Sequence, residues 1–379
     1  MNNKKKATRQ QALSTAVVMF LCVGCVYLMT GYIKQNVGME AISDDIILFF
    51  ASYIILLIAG IFLQLIIHES GHLIFGLLTG YRFTSFRIGS FMWVKDNGKI
   101  KFKKLTIAGT GGQCLLSPPD MKDGKIPFTL YNFGGAILNV VTGILFLGLS
   151  FATQSVPFLS LFLSLLATFG FVFAITNGIP MRTGMVANDG YNAISATRNR
   201  DAMRAVWVQL KVNEQSAQGV RLRDMPSDWF EVPDDEAMKN SLIAVMGVFA
   251  CNRLMDEKRF EEADALMDHL LNVESSMVGI YRKLLVCDRM YIELTSANRA
   301  EVLAKMLDKQ QKNFMKQMKA FPSVLRTQYV YALLGEKKLE KAEKIKAQFE
   351  KQMKAYPYQT DVQAERELMK RAEKMIVSA

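Results

Sequence analysis

The chain has 379 residues, half of them hydrophobic, with 46 Lys/Arg against 35 Asp/Glu. That length accommodates two or three domains, and an odd set of five cysteines without framework spacing excludes a disulfide-stapled scaffold. The net charge of +11 is not a nucleic-acid footprint, because the basic residues of the first half flank apolar runs and act there as topology signals.

A mean hydropathy of +0.13 averages two unlike halves. Residues 1–190 hold long apolar runs with 15 Lys/Arg and 8 Asp/Glu, whereas residues 191–379 hold 31 and 27 and no long apolar stretch. The first run, Ser14–Ile33, follows Lys4, Lys5, Lys6 and Arg9. It is longer than a signal-peptide core and lacks a small-x-small cleavage site, so it reads as a retained span. Cys22 and Cys25 lie inside it and read as small residues packing on a membrane helix rather than a redox pair.

The second run, Ile46–Tyr81, is interrupted by Gln64 and by His68, Glu69, Ser70 and His72. A helix that long exceeds the roughly 30 Å hydrocarbon core, so it must tilt, break or protrude. Next, Arg82–Val94 is strand-like, Asp96-Asn97-Gly98 supplies a turn, and Lys99–Ile107 resumes, which predicts a small β-hairpin region. Such strands could pair with an unwound substrate. The segment 109–120 reads as irregular loop. The third and fourth runs, Phe128–Ala152 and Pro157–Ile179, predict an antiparallel hairpin of spans.

Loop 82–127 carries nine basic and three acidic residues, loop 34–45 one and three, and loop 153–156 none. Positive-inside placement then puts the N-terminus, loop 82–127 and the C-terminal half in the cytoplasm of a multi-pass cell-membrane protein. The polar cluster of the second span falls toward its cytoplasmic end.

That cluster reads His68-Glu69-Ser70-Gly71-His72, an H-E-x-x-H pattern. On a helix, positions i and i+4 share a face, so both imidazoles can bind one metal. Glu69 beside them can take a proton from water activated by zinc. Two of the chain's three histidines sit in this motif, and an ionisable Glu in an apolar run costs several kcal/mol by order of magnitude unless compensated. The blander alternative is a polar, frayed helix end near the headgroups. For a third ligand, Asp189 follows the fourth span after a helix break at Gly178, Pro180 and Gly184. Asp189-Gly190 also reads as a turn or as an N-cap; beside the histidine pair the ligand reading is favoured.

Here the chain resembles the site-2 protease family of intramembrane zinc metalloproteases. The resemblance rests on His68, Glu69 and His72, then Asn177 and Pro180, then Asp189 and Gly190, in that order over about residues 46–195. The family's middle Gly-Pro-x-x-Asn motif is matched by Gly135 and Asn139, with Ala136 in place of Pro. The resemblance implies that His68, His72 and Asp189 bind Zn²⁺. It implies that Glu69 is the general base and later the proton donor to the leaving amine. It also implies that Asn139 and Asn177 hold the substrate strand or the developing oxyanion; the alternative for both is ordinary polar contact between membrane helices.

Beyond Gly190 a helix is expected through about residue 213, then loop around Arg221–Phe230, then helices from about Asp235 to the end. Leu254–Leu270 and Leu333–Phe349 are weakly similar at an offset of 79, which resembles tetratricopeptide-like helical hairpins. Such an array offers a groove for a protein partner. His269 reads as a surface or packing residue.

The expected fold is therefore mainly α: a polytopic core of about four spans with a small β-hairpin region, followed by a cytoplasmic tetratricopeptide-like helical domain. The expected divisions are 1–45, a basic segment and first span; 46–195, the metalloprotease core; and 196–379, the helical domain. The expected function is zinc-dependent endopeptidase cleavage of a membrane-spanning protein or peptide in the bilayer, in regulated intramembrane proteolysis, without nucleic acid. The alternative is a non-enzymatic membrane-tethered scaffold. A transporter with Glu69 in an ion path is disfavoured by four spans without span-level repeats.

Overall fold

The computed structural model describes residues 2–36, 46–96, 98–106, 110–183 and 186–377. Most of the acidic loop 34–45, Asn97 of the expected turn, residues 107–109 and Gly184 lie outside the described residues. The fold is mainly helical with one small four-stranded sheet. Four helices are long and apolar enough to cross a membrane, with apolar spans Ala12–Asn36, Phe50–Leu78, Phe128–Ala152 and Pro157–Gly178. They belong to helices α1 (Asn2–Asn36), α2 (Ile46–Leu78), α3 (Phe128–Ala152) and α4 (Pro157–Gly178). Each coincides with an apolar run, and Pro157 starts α4 in its first turn, where a missing N–H costs nothing.

Two compact units divide the chain, and the first comprises residues 1–83 and 111–200. In it α2, α3 and α4 pack on one another, and α1 packs on α4. The α2–α3 crossing is glycine on glycine: a Cβ on Gly71 would lie 2.2 Å from the Gly134 carbonyl oxygen, and one on Gly134 2.5 Å from that of Gly71. Without a hydrophobic drive between helices in lipid, such close approach and interhelical hydrogen bonds supply the association. Ser150 on α3 bonds the hydroxyls of Ser160 (3.0 Å) and Ser164 (2.7 Å) on α4, and Tyr32 of α1 joins them at 3.2 Å. Ile55, Ile58, Phe62, Ile144 and Leu145 point outward and exposed, as lipid-facing side chains must.

The four strands β1 (Arg82–Ile88), β2 (Phe91–Asp96), β3 (Lys99–Lys104) and β4 (Gly112–Ser117) follow the order β3-β2-β1-β4. The run Arg82–Val94 is thus not one strand but two, turned at Gly89-Ser90 with Ile88 paired to Phe91. The β2–β3 turn falls where expected, with Asp96 paired to Lys99. The segment 109–120, expected as loop, contains β4; its Cys114 and Leu116 are buried at alternate positions, a period-2 signal masked by neighbouring Gly and Pro.

The second unit comprises residues 84–110 and 201–379. The helix expected from 190 to about 213 is two, α5 (Asp189–Thr197) and α6 (Arg200–Ala217), the first lying in the first unit. Then come α7 (Ser241–Glu257), α8 (Phe260–Asn272), α9 (Gly279–Leu294), α10 (Ala300–Met306), α11 (Lys309–Gln317), α12 (Pro322–Val330), α13 (Leu339–Met353) and α14 (Gln359–Val377). Lys258, Asn298 and Lys337 are left-handed, with φ of 64°, 50° and 54°. They lie in the turns that follow α7, α9 and the π turn Tyr331–Gly335 that continues α12, at intervals of 40 and 39 residues. The offset of 79 read from the sequence carries Lys258 onto Lys337, so the similar segments are equivalent turns. The core is apolar, with Tyr291, Leu325, Tyr329 and Phe349 buried, and it encloses Arg326 between Asp288 and Glu365.

Candidate metal centre

His68 and His72 lie one turn apart on α2, buried, and face the start of α5. Asp189 is held there by its neighbour. Asn188 caps α5 by accepting from the Tyr191 N–H at 3.0 Å, and donates to the Thr176 and Ile179 carbonyls at 2.7 and 2.6 Å. The broken end of α4 is thereby tied to the first turn of α5. The Asp189 carboxylate lies 3.1 Å from His68 Nε2 and 3.4 Å from His72 Nε2, and the two Nε2 atoms are 3.2 Å apart.

The outer ring nitrogens decide what those inner atoms are. Gln64 donates to the Leu166 carbonyl (2.8 Å), so its Oε1 faces Asn139 and accepts from Asn139 Nδ2 (2.7 Å). Asn139 Oδ1 therefore accepts from His68 Nδ1–H at 2.7 Å. His72 Nδ1–H donates to the Tyr131 carbonyl at 2.9 Å. Both rings thus present Nε2 lone pairs toward each other and toward a carboxylate. Three acceptors converging without a donor repel one another unless a cation lies between them. The spacing fits one: ligand bonds of about 2.0–2.1 Å to a tetrahedral zinc place donor atoms roughly 3.3 Å apart.

Residues 56–356 match peptidase family M50. The chain belongs to that family, the site-2 protease family. No curated protein and no solved structure matches it. As an M50 peptidase it is a membrane metalloprotease, and the tethered-scaffold alternative is not favoured.

In this M50 peptidase Glu69 is buried on α2 beside His68. The backbone of β4 runs against it, since a Cβ on Gly112 would come within 2.5 Å of Glu69 Oε1. Gly135 lies under His68, where a Cβ would meet the imidazole at 2.6 Å; this explains why the middle motif begins with glycine. Asn139 is fully buried and spends its carboxamide on His68 and Gln64. Asn177 is partly buried, and its Nδ2 donates to the Phe173 carbonyl at 3.0 Å. His269 is exposed and pairs with Asp235 at 2.8 Å. The sequence reading did not assign roles to Gln64, the Tyr131 carbonyl or Asn188. Gln64 did carry a signal, as an amide inside an apolar run; a backbone carbonyl carries none.

Proposed function

We propose that this M50 peptidase is an intramembrane zinc endopeptidase that hydrolyses a peptide bond of a membrane-spanning protein, as in regulated intramembrane proteolysis. The observation that carries the reading is the convergence of two imidazole lone pairs and a carboxylate oxygen at mutual distances of 3.1–3.4 Å. His68, His72 and Asp189 would hold Zn²⁺, which when bound supplies Lewis-acid polarisation of water and of the scissile carbonyl. Glu69 takes the proton of the attacking water and delivers it to the leaving amine. Gln64, through Asn139, fixes the His68 tautomer, which occupies the carboxamide that the resemblance implied for the substrate. Asn177, at the end of the fourth span, is the side chain we assign to the substrate strand or its oxyanion.

The unequal loop charges support a cell-membrane protein with its N-terminus and second unit in the cytoplasm. The helical hairpins recurring at about 40 residues support a tetratricopeptide-like array that binds a protein partner. The test is cleavage of a reporter single-span protein in liposomes by the wild type and by Glu69→Gln. Loss of one general acid–base group lowers the rate by about 10²–10⁴-fold. Unchanged cleavage in Glu69→Gln would contradict the mechanism.

A further inference from the structure

The second unit contains a cavity of about 280 Å³, bounded by α6, α7, α9 and α14. This is just below the range of drug-sized ligand sites, roughly 300–1,000 Å³, and suits a single side chain. Its wall is acidic, with Asp256, Asp288, Asp361, Glu365 and Glu367 against Arg221 and Lys258. Four of these acids are committed. Arg221 bonds Asp256 and, at 2.6 Å, Glu367; Arg326 bonds Asp288 and, at 2.8 Å, Glu365.

Asp361 on α14 is different. Among the described residues no cation lies within ion-pair distance of it. Burial, then Glu365 and Asp256, push its carboxyl up to about 7, and Arg221 offsets them only in part. A carboxylate held this way lowers stability at neutral pH, so the fold keeps it at a cost.

A second observation at the same wall is independent of charge. Thr360, beside Asp361, is 8% exposed, lines the cavity, and its Oγ1 has no hydrogen-bond partner. Buried hydroxyls are almost always bonded. Tyr356 and Tyr358 complete that wall, nearly buried, with ring faces that attract cations. The cavity thus offers an unpaired carboxylate, an unpaired hydroxyl and aromatic faces to a group rich in N–H donors and positive charge. A divalent metal is a poor fit. Among the described residues, only His68, His72 and Asp189 bring three ligand atoms within 4.8 Å of one another.

We propose that this cavity receives a lysine or arginine side chain from the basic cytoplasmic flank of a membrane-spanning substrate. Membrane proteins concentrate Lys and Arg in such flanks. The substrate assignment rests on the protease reading and on cytoplasmic placement of this unit; the preference for a cationic side chain rests on the cavity alone.

The test uses the full chain in detergent and a fluorescein-labelled Gly/Ser peptide bearing four lysines, with a second peptide carrying glutamine in their place. The lysine peptide binds more tightly than the glutamine peptide. Its affinity falls about tenfold or more in Asp361→Asn and about threefold in Thr360→Val. Equal binding of the two peptides, or of the lysine peptide by wild type and Asp361→Asn, overturns the proposal. So does displacement of the lysine peptide by spermidine at lower concentration than by unlabelled peptide, which would assign the cavity to a free polyamine. In the cleavage arm, a lysine-flanked reporter has a lower KM than a glutamine-flanked one, and the ratio approaches one in Asp361→Asn. A ratio of one in the wild type overturns the substrate assignment. Asp361-dependent peptide binding without any cleavage by the wild type supports the cavity and overturns the protease reading.

Discussion

His68, Glu69 and His72 fall within one helical turn, and their chemistry is written in their spacing, because i and i+4 share a face. What orients them is not written there. His68 owes its tautomer to Asn139, and Asn139 to Gln64, over a separation of 75 residues. The family motif points to Asn139 as a site residue but not to the histidine it touches. His72 depends on the Tyr131 carbonyl, which any residue would supply. This gives a prediction at the residue scale. Gln64→Leu leaves Asn139 Nδ2 only the long 3.3 Å bond to the residue-64 carbonyl, and weakens zinc binding by up to about 10–100-fold, as loss of outer hydrogen-bond partners of metal ligands does. Competition with a fluorescent chelator measures it. Affinity equal to wild type in a folded Gln64→Leu protein would remove the network from the account.

At the scale of elements, the proposed ligands come from α2 and α5, and α3 aligns the two histidines. Both Asn139 and Tyr131 lie on α3, and the Gly71–Gly134 crossing sets its distance from α2. Gly134→Val must push the helices apart. Overpacking costs about 1–3 kcal/mol, and it moves both hydrogen-bond partners of the histidines at once. Zinc content and cleavage should fall together in this variant; retention of both would show that the crossing is not what holds the site. The four apolar helices were legible in the sequence because each follows a long apolar run, the second broken only by Gln64 and the polar cluster His68–His72. The strands were less so, since the Gly89-Ser90 turn is weak beside Asn97-Gly98, and β4 is too short to show its alternation between Gly and Pro residues.

The cavity wall on α14 gives a pH prediction at the same scale. Asp361 faces Glu365 of its own helix, Asp256 of α7, Arg221, and the neighbouring Tyr356 and Tyr358. Its folded pKa is raised from 3.8 to about 7. The folded state therefore binds the proton more tightly, and stability from this group is fully present below 3.8 and is lost as the pH rises from there through about 7. The full cost of ionising it is about 4 kcal/mol by order of magnitude. Asp361→Asn should raise the melting temperature of the second unit at pH 8, raise it less at pH 5, and change it little below the unfolded value of 3.8. A lower melting temperature at pH 8 would show that Asp361 is stabilised as a carboxylate.

The whole molecule joins a membrane metalloprotease unit to a unit of helical hairpins. The division into an apolar first half and a charged second half was visible in composition. The left-handed turns at Lys258 and Lys337 were visible as a repeat, whereas the one at Asn298 was not. Its hairpin closes with the short α10 and α11, so few side chains there occupy equivalent positions. At this scale the proposal that everything else depends on is that one zinc ion is held by His68, His72 and Asp189. The most direct measurement is the zinc content of the detergent-purified full chain, compared with His72→Ala and Asp189→Ala. The account predicts about one zinc per chain in the wild type, as a single site of three protein ligands with an open fourth position implies, and marked loss in both variants. A folded wild type without zinc, or an Asp189→Ala variant that keeps its full complement, would contradict it.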